Sequence, residues 1–102
     1  MRLVVAVVKP AQVEAVRRAL AAAHVTRLTL ADAHGYGPDR PDDVLQEVVL
    51  EIAVNDDFVE RTVRTLHAAL GVRDDDAAGR VLVLPMDEAV QIYRAVRGPE
   101  AV

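Results

Sequence analysis

Leu3-Val4-Val5-Ala6-Val7-Val8-Lys9-Pro10 decides how the rest of the chain is read. A continuous apolar run rich in β-branched residues suits a strand buried on both faces, and proline cannot continue a hydrogen-bonded ladder, so the strand closes at Lys9-Pro10. Beyond it the period changes. Val13, Val16, Leu20 and Ala23 recur at helical spacing, with Glu14, Arg17 and Arg18 outside the stripe. Pro10 is placed to start that helix, as proline does in a first turn. Thr26 to His34 alternates, with Leu28 and Leu30 on one side and Arg27, Thr29, Ala31 and Ala33 on the other, before Gly35-Tyr36-Gly37-Pro38 breaks it. Val44 to Val54 alternates again and predicts a long third strand.

After Asn55-Asp56-Asp57, the pair Asp57 and Glu60 has capping-box spacing, and Val59, Val63, Leu66 and Leu70 form the stripe of a second helix ended by Gly71. Arg73 to Arg80 reads as a polar loop, Val81 to Leu84 as a fourth strand, and Pro85 closes it. The order strand, helix, strand, strand, helix, strand predicts one α+β domain over residues 1–102, a ferredoxin-like βαββαβ sandwich with both helices on one face. Asp87 to Arg97 is a short C-terminal appendage whose periodicity allows either a helix or an added strand. Two helices leave the other face of the sheet uncovered. Since the first strand is apolar on both sides, that face predicts a homo-oligomer.

Composition narrows the function. The 102 residues are 52 % apolar, enough for one core without disulfides or metal, and a formal charge of -4 with no long basic run argues against nucleic-acid partners. There is no cysteine, which excludes thiolate chemistry and any need for an oxidising compartment. The apolar start is too short for a signal peptide or a membrane span, so the expectation is a cytoplasmic protein without membrane insertion.

No serine occurs anywhere, and no phosphate-loop or dinucleotide fingerprint is present, so hydrolase chemistry loses most of its parts, and with no constellation of base and nucleophile in view the chain reads as no enzyme. His24, His34 and His67 have no metal-ligand spacing, and Asp74-Asp75-Asp76 lacks the spacing of a calcium loop. Two glycine-bearing strand boundaries remain, Gly35-Tyr36-Gly37 and Gly79-Arg80. They admit two readings. Either the glycines bring backbone amides close to an anion that the arginine completes, or they supply positive φ in ordinary turns.

Taken together these segments resemble the PII signalling proteins of nitrogen regulation. The closing Lys9-Pro10 of the first strand, Val13 to Leu20, Leu28-Thr29-Leu30, Gly35-Tyr36-Gly37, Leu50 to Glu60 and Val81 to Val90 match that family in order and phase. The resemblance implies a trimer with its sheets turned inward and an adenine nucleotide held between subunits. Carried over by position, Val7, Thr29, Glu51 and Ala53 fall around the base and ribose, Gly35 and Gly37 at the foot of the effector loop, and Gly79 and Arg80 at the end of the G-D-G-K phosphate loop.

The departures are as informative. The long effector loop with its tyrosine modification site is reduced to Pro38-Asp39-Arg40-Pro41-Asp42-Asp43, and Glu47 replaces a basic residue of that loop. Ala77 and Ala78 stand for the first glycine and the aspartate of G-D-G-K, and Gln91 and Tyr93 for two arginines near the C-terminus. Few partners of a triphosphate survive. The resemblance therefore implies no tightly bound cofactor but a ligand such as ADP or AMP, or a related small anion, at Arg80, joined by Arg94 or Arg97 if they turn inward. The protein target, a transporter or an enzyme, is not named by the sequence. Two alternatives stand beside this reading: a trimeric divalent-metal or metal-stress binding module, and a ligand-free trimeric scaffold.

Overall fold

The computed structural model describes residues 1–38, 40–71 and 80–102. Its elements are β1 (Arg2–Val8), α1 (Val13–Ala22) after a 3-10 turn at Pro10–Gln12, β2 (Thr29–Gly35), β3 (Leu45–Val54), α2 (Asp56–Leu70) and β4 (Arg80–Pro85). A two-stranded hairpin, β5 (Val90–Gln91) and β6 (Val96–Arg97), and a 3-10 turn at Gly98–Ala101 follow. The sheet order is β2-β3-β1-β4 with every neighbour antiparallel, which is the ferredoxin-like α+β arrangement expected.

Strand alternation divides the sheet into two faces. Val4, Ala6 and Val8 of β1 and Val48, Leu50, Ile52 and Val54 of β3 are buried with Val16 and Leu20 of α1 and Leu66 of α2. The opposite face carries Leu3, Val5 and Val7, whose cross-strand partners on β4 are Leu84, Leu82 and Arg80. Leu82 and Leu84 are 49 % and 42 % exposed, so the chain by itself leaves this apolar face in water.

Several boundaries differ from the sequence reading for identifiable reasons. α1 ends in a Schellman arrangement: His24 N–H donates to Ala21 O at 3.0 Å and Val25 N–H to Leu20 O at 2.8 Å. His24 takes the positive φ, +65°, that this cap demands, and Val25 is drawn into the core. The loop after the cap occupies residues 26–28, so β2 starts at Thr29 opposite Glu51 rather than at Thr26.

The helix cap expected at Asp57 and Glu60 is not there. Asn55 is the N-cap residue of α2, without a side-chain cap bond, and Asp56 and Asp57 lie inside the first turn, where their charge complements the helix dipole. The buried stripe is also rotated. Thr62, not Val63, faces the core beside Leu66, because its hydroxyl donates to Phe58 O at 2.8 Å and enters the interior satisfied. Val59 and Leu70 pack against the core as expected. The appendage resolves into strand rather than helix, through the pairs Val90 with Arg97 and Gln91 with Val96.

Candidate functional site

β3 places Glu51 and Ala53 on the open face, opposite Val5 and Leu3. β2 starts with Thr29 directly opposite Glu51, and β4 starts with Arg80 directly opposite Val7. Five of the residues singled out in the sequence, Val7, Thr29, Glu51, Ala53 and Arg80, thus share one face of one sheet. The register does this: each sits at an alternate position of its own strand, and a one-residue slip would send it to the helix side. Glu51 and Arg80 are exposed charges, and neither forms an ion pair among the described residues.

Gly35 is the last residue of β2, opposite Leu45. Among the described residues the positive-φ glycines are Gly71 and Gly98, so the turn reading does not account for Gly35. Close approach does. A Cβ at Gly35 would lie 2.7 Å from Glu47 Oε2 and 3.0 Å from Glu47 Cδ. Glu47, noticed in the sequence only as a lost basic residue, therefore lies across this glycine. Gly37 falls in the connection between β2 and β3, where it is buried. Gly79, with Ala77, Ala78 and Asp74-Asp75-Asp76, lies outside the described residues.

The appendage separates the two C-terminal arginines. Arg97 Nη1 donates to Glu88 Oε1 at 2.7 Å. Arg94 has no such partner among the described residues, and it lines a cleft of about 420 Å3 at the junction of β3 and α2, together with Arg27, Ala53 and Asn55. Gln91 is engaged with the tail, its Nε2 donating to Ala101 O at 3.2 Å. Ile92 and Tyr93 at the hairpin tip are 86 % and 100 % exposed.

Arg27 and Asn55 did not stand out in the sequence. An arginine on the polar side of an alternating run and an asparagine before a helix each have an ordinary explanation, and no spacing ties them together. Among the described residues no group of three or more histidines and carboxylates is placed to hold a metal ion.

Comparison with known proteins bears on the same architecture. A profile of the family described as nitrogen regulatory protein P-II matches residues 1–96. The nitrogen regulatory protein GlnK1 of Methanosarcina mazei is 31% identical over 116 aligned positions, covering 100% of this chain and 97% of its own length. That alignment is longer than the chain, so the relative carries residues with no counterpart here. A nitrogen regulatory protein P-II of Cereibacter sphaeroides is 27% identical, with all of both chains covered. Among solved structures, Arabidopsis thaliana PII bound to citrate superposes with a TM-score of 0.80 at 27% identity, covering 98% of this chain and 87% of that one.

Proposed function

The chain belongs to the nitrogen regulatory P-II family of signalling proteins, with the connection after β2 reduced to residues 36–44, and from that premise we propose that it is a homotrimeric sensor of an adenine nucleotide of low charge or a related small anion. The ligand, AMP or ADP in the nucleotide case, sits between subunits against the open face of the sheet. Val7, Thr29, Glu51 and Ala53 surround its base and ribose, with Gly35 and Gly37 at the foot of the adjoining loop. Arg80, with Gly79 before it, takes the phosphate. Occupancy is then read by a partner protein, a transporter or an enzyme, in the cytoplasm.

One observation carries this reading. Residues 7, 29, 51, 53 and 80 come from four strands, and the register gathers them on the single face that the helices leave open. Leu3, Val5, Leu82 and Leu84 on that face call for cover from other copies of the chain, which supports a site at its margin between subunits. The citrate in the Arabidopsis relative's structure supports the small-anion half. No helix among the described residues is long and apolar enough to cross a membrane.

Calorimetry of the wild type and Arg80→Ala against ATP, ADP, AMP and cyclic AMP tests the reading. The wild type should prefer AMP or ADP to ATP. Loss of one charge-assisted contact, worth about 1.5 to 3 kcal/mol, should weaken binding by roughly tenfold or more in the variant. Absence of heat with every nucleotide and with citrate would leave the ligand-free scaffold as the better description.

A further inference from the structure

β4 closes the sheet on one flank, since the order β2-β3-β1-β4 gives it a neighbour in β1 alone. Its outer row of backbone N–H and C=O groups is open to pairing, and natural edges of this kind are blunted by charge, proline or a bulge. Here the guard is thin. Arg80 and Pro85 mark the two ends of the strand, and Val81-Leu82-Val83-Leu84 between them carries no charge. Leu82 and Leu84 are exposed on the open face and Val83 on the helix side, so the edge shows apolar surface in both directions. The other edge strand, β2, carries exposed Asp32 and His34.

A second apolar feature stands on the opposite flank. After Pro85 the chain is held beside the start of β1, where Met86 N–H donates to Met1 O at 3.2 Å, and it continues to the hairpin next to β3. There Gln91 Nε2 donates to Ala101 O at 3.2 Å and Asn55 Nδ2 to Pro99 O at 3.1 Å, which ties hairpin and tail to the junction of β3 and α2. The hairpin then holds out Ile92 and Tyr93, the most exposed large apolar residues among those described. Ala95, in the same turn, has φ +52°, a conformation that residues with a Cβ rarely adopt.

An apolar tip on one flank and an apolar edge on the other are the complementary surfaces of a head-to-tail contact. A two-fold dimer needs one self-complementary patch, whereas two different patches on opposite flanks join copies into a ring when the rotation closes. We propose that the hairpin tip of each copy seats on the β4 edge of the next, with Ile92 and Tyr93 packed against Leu82, Val83 and Leu84. Tyrosine suits the place, because its ring covers apolar area while its hydroxyl can donate to an open carbonyl of the edge. The contact rests on the homotrimer of the proposed function and names the residues that fasten it.

Thiol cross-linking reads the contact directly, because the chain has no cysteine of its own. A chain carrying both Val83→Cys and Tyr93→Cys, treated with a short bismaleimide, should run as covalent dimers and trimers on a denaturing gel, and each single variant should run as a monomer. Ile92→Ser with Tyr93→Ser changes exposed positions only and should keep the circular dichroism of the wild type. On dilution in the ultracentrifuge, its assembly should be weaker by about tenfold or more. A wild-type trimer with no cross-linked species in the double-cysteine chain, and with the serine variant dissociating as the wild type does, overturns the contact while the proposed function stands. A wild type that sediments as a monomer overturns both.

Discussion

At Gly35 a neighbouring side chain, and not a turn conformation, stands where a Cβ would go. The residue ends β2 without a positive φ, and the space where a Cβ would stand is taken by the Glu47 carboxylate at 2.7 Å. Gly35→Ala therefore has only to swing the flexible end of Glu47 aside, and we expect thermal melts to show a loss below about 1 kcal/mol. Glu47→Ala in the same chain should remove most of that penalty, since it removes the obstructing carboxylate. If the single and double variants melt alike, the close approach is not what selects glycine here. His24 shows the converse case, in which the backbone rather than a neighbour sets the demand: it is a residue with a side chain held at φ +65° because the helix cap needs that conformation.

At the scale of elements, α2 is tied to the start of β1 by charge. Asp56 in its first turn accepts a hydrogen bond from the Met1 ammonium at 2.8 Å, with the Arg2 guanidinium nearby at 3.8 Å. The ammonium contact, ahead of the arginine, holds the Asp56 carboxyl below its ordinary value. On α1, Glu14 is held down likewise, chiefly by its hydrogen bond from Arg17. A depressed folded-state pKa means that each contribution is present above the unfolded carboxylate value and is lost as pH falls through the folded one. Acid titration of stability should therefore show a decline beginning at the ordinary carboxylate range and continuing below it, and Asp56→Asn should flatten part of that slope. An unchanged slope would mean that the contact is screened away in water, as exposed ion pairs often are. The same helix shows why its stripe was misread by one position: Thr62 is polar by type, and only its bond to Phe58 O, one turn back, makes it a core residue.

For the whole molecule the open sheet face carries the argument. Leu82 and Leu84 stand beside Val5 and Leu3 with no helix over them, and members of the P-II family assemble as trimers. Leu82→Glu should convert the assembly to monomers in analytical ultracentrifugation, because a carboxylate buried there without a partner is strongly disfavoured. The ferredoxin-like core should persist by circular dichroism, since Leu82 is not among the residues packed with the helices. A variant that sediments as the wild type does would place the subunit contact elsewhere. Element order, fold class and family were legible in the chain itself, because buried strands and amphipathic helices write their periods into consecutive residues, as Leu3 to Val8 and Val13 to Leu20 do. Val7, Thr29, Glu51, Ala53 and Arg80 were legible only as separate positions implied by the family resemblance. Their common face, the exact caps of α2 and the identity of its buried stripe were not, since those depend on strand register and on single hydrogen bonds. The meeting of Arg27, Asn55 and Arg94 was least legible of all. It joins three segments far apart in sequence, each unremarkable alone, and only folding, which sets long-range distances that no local pattern encodes, brings them to one cleft.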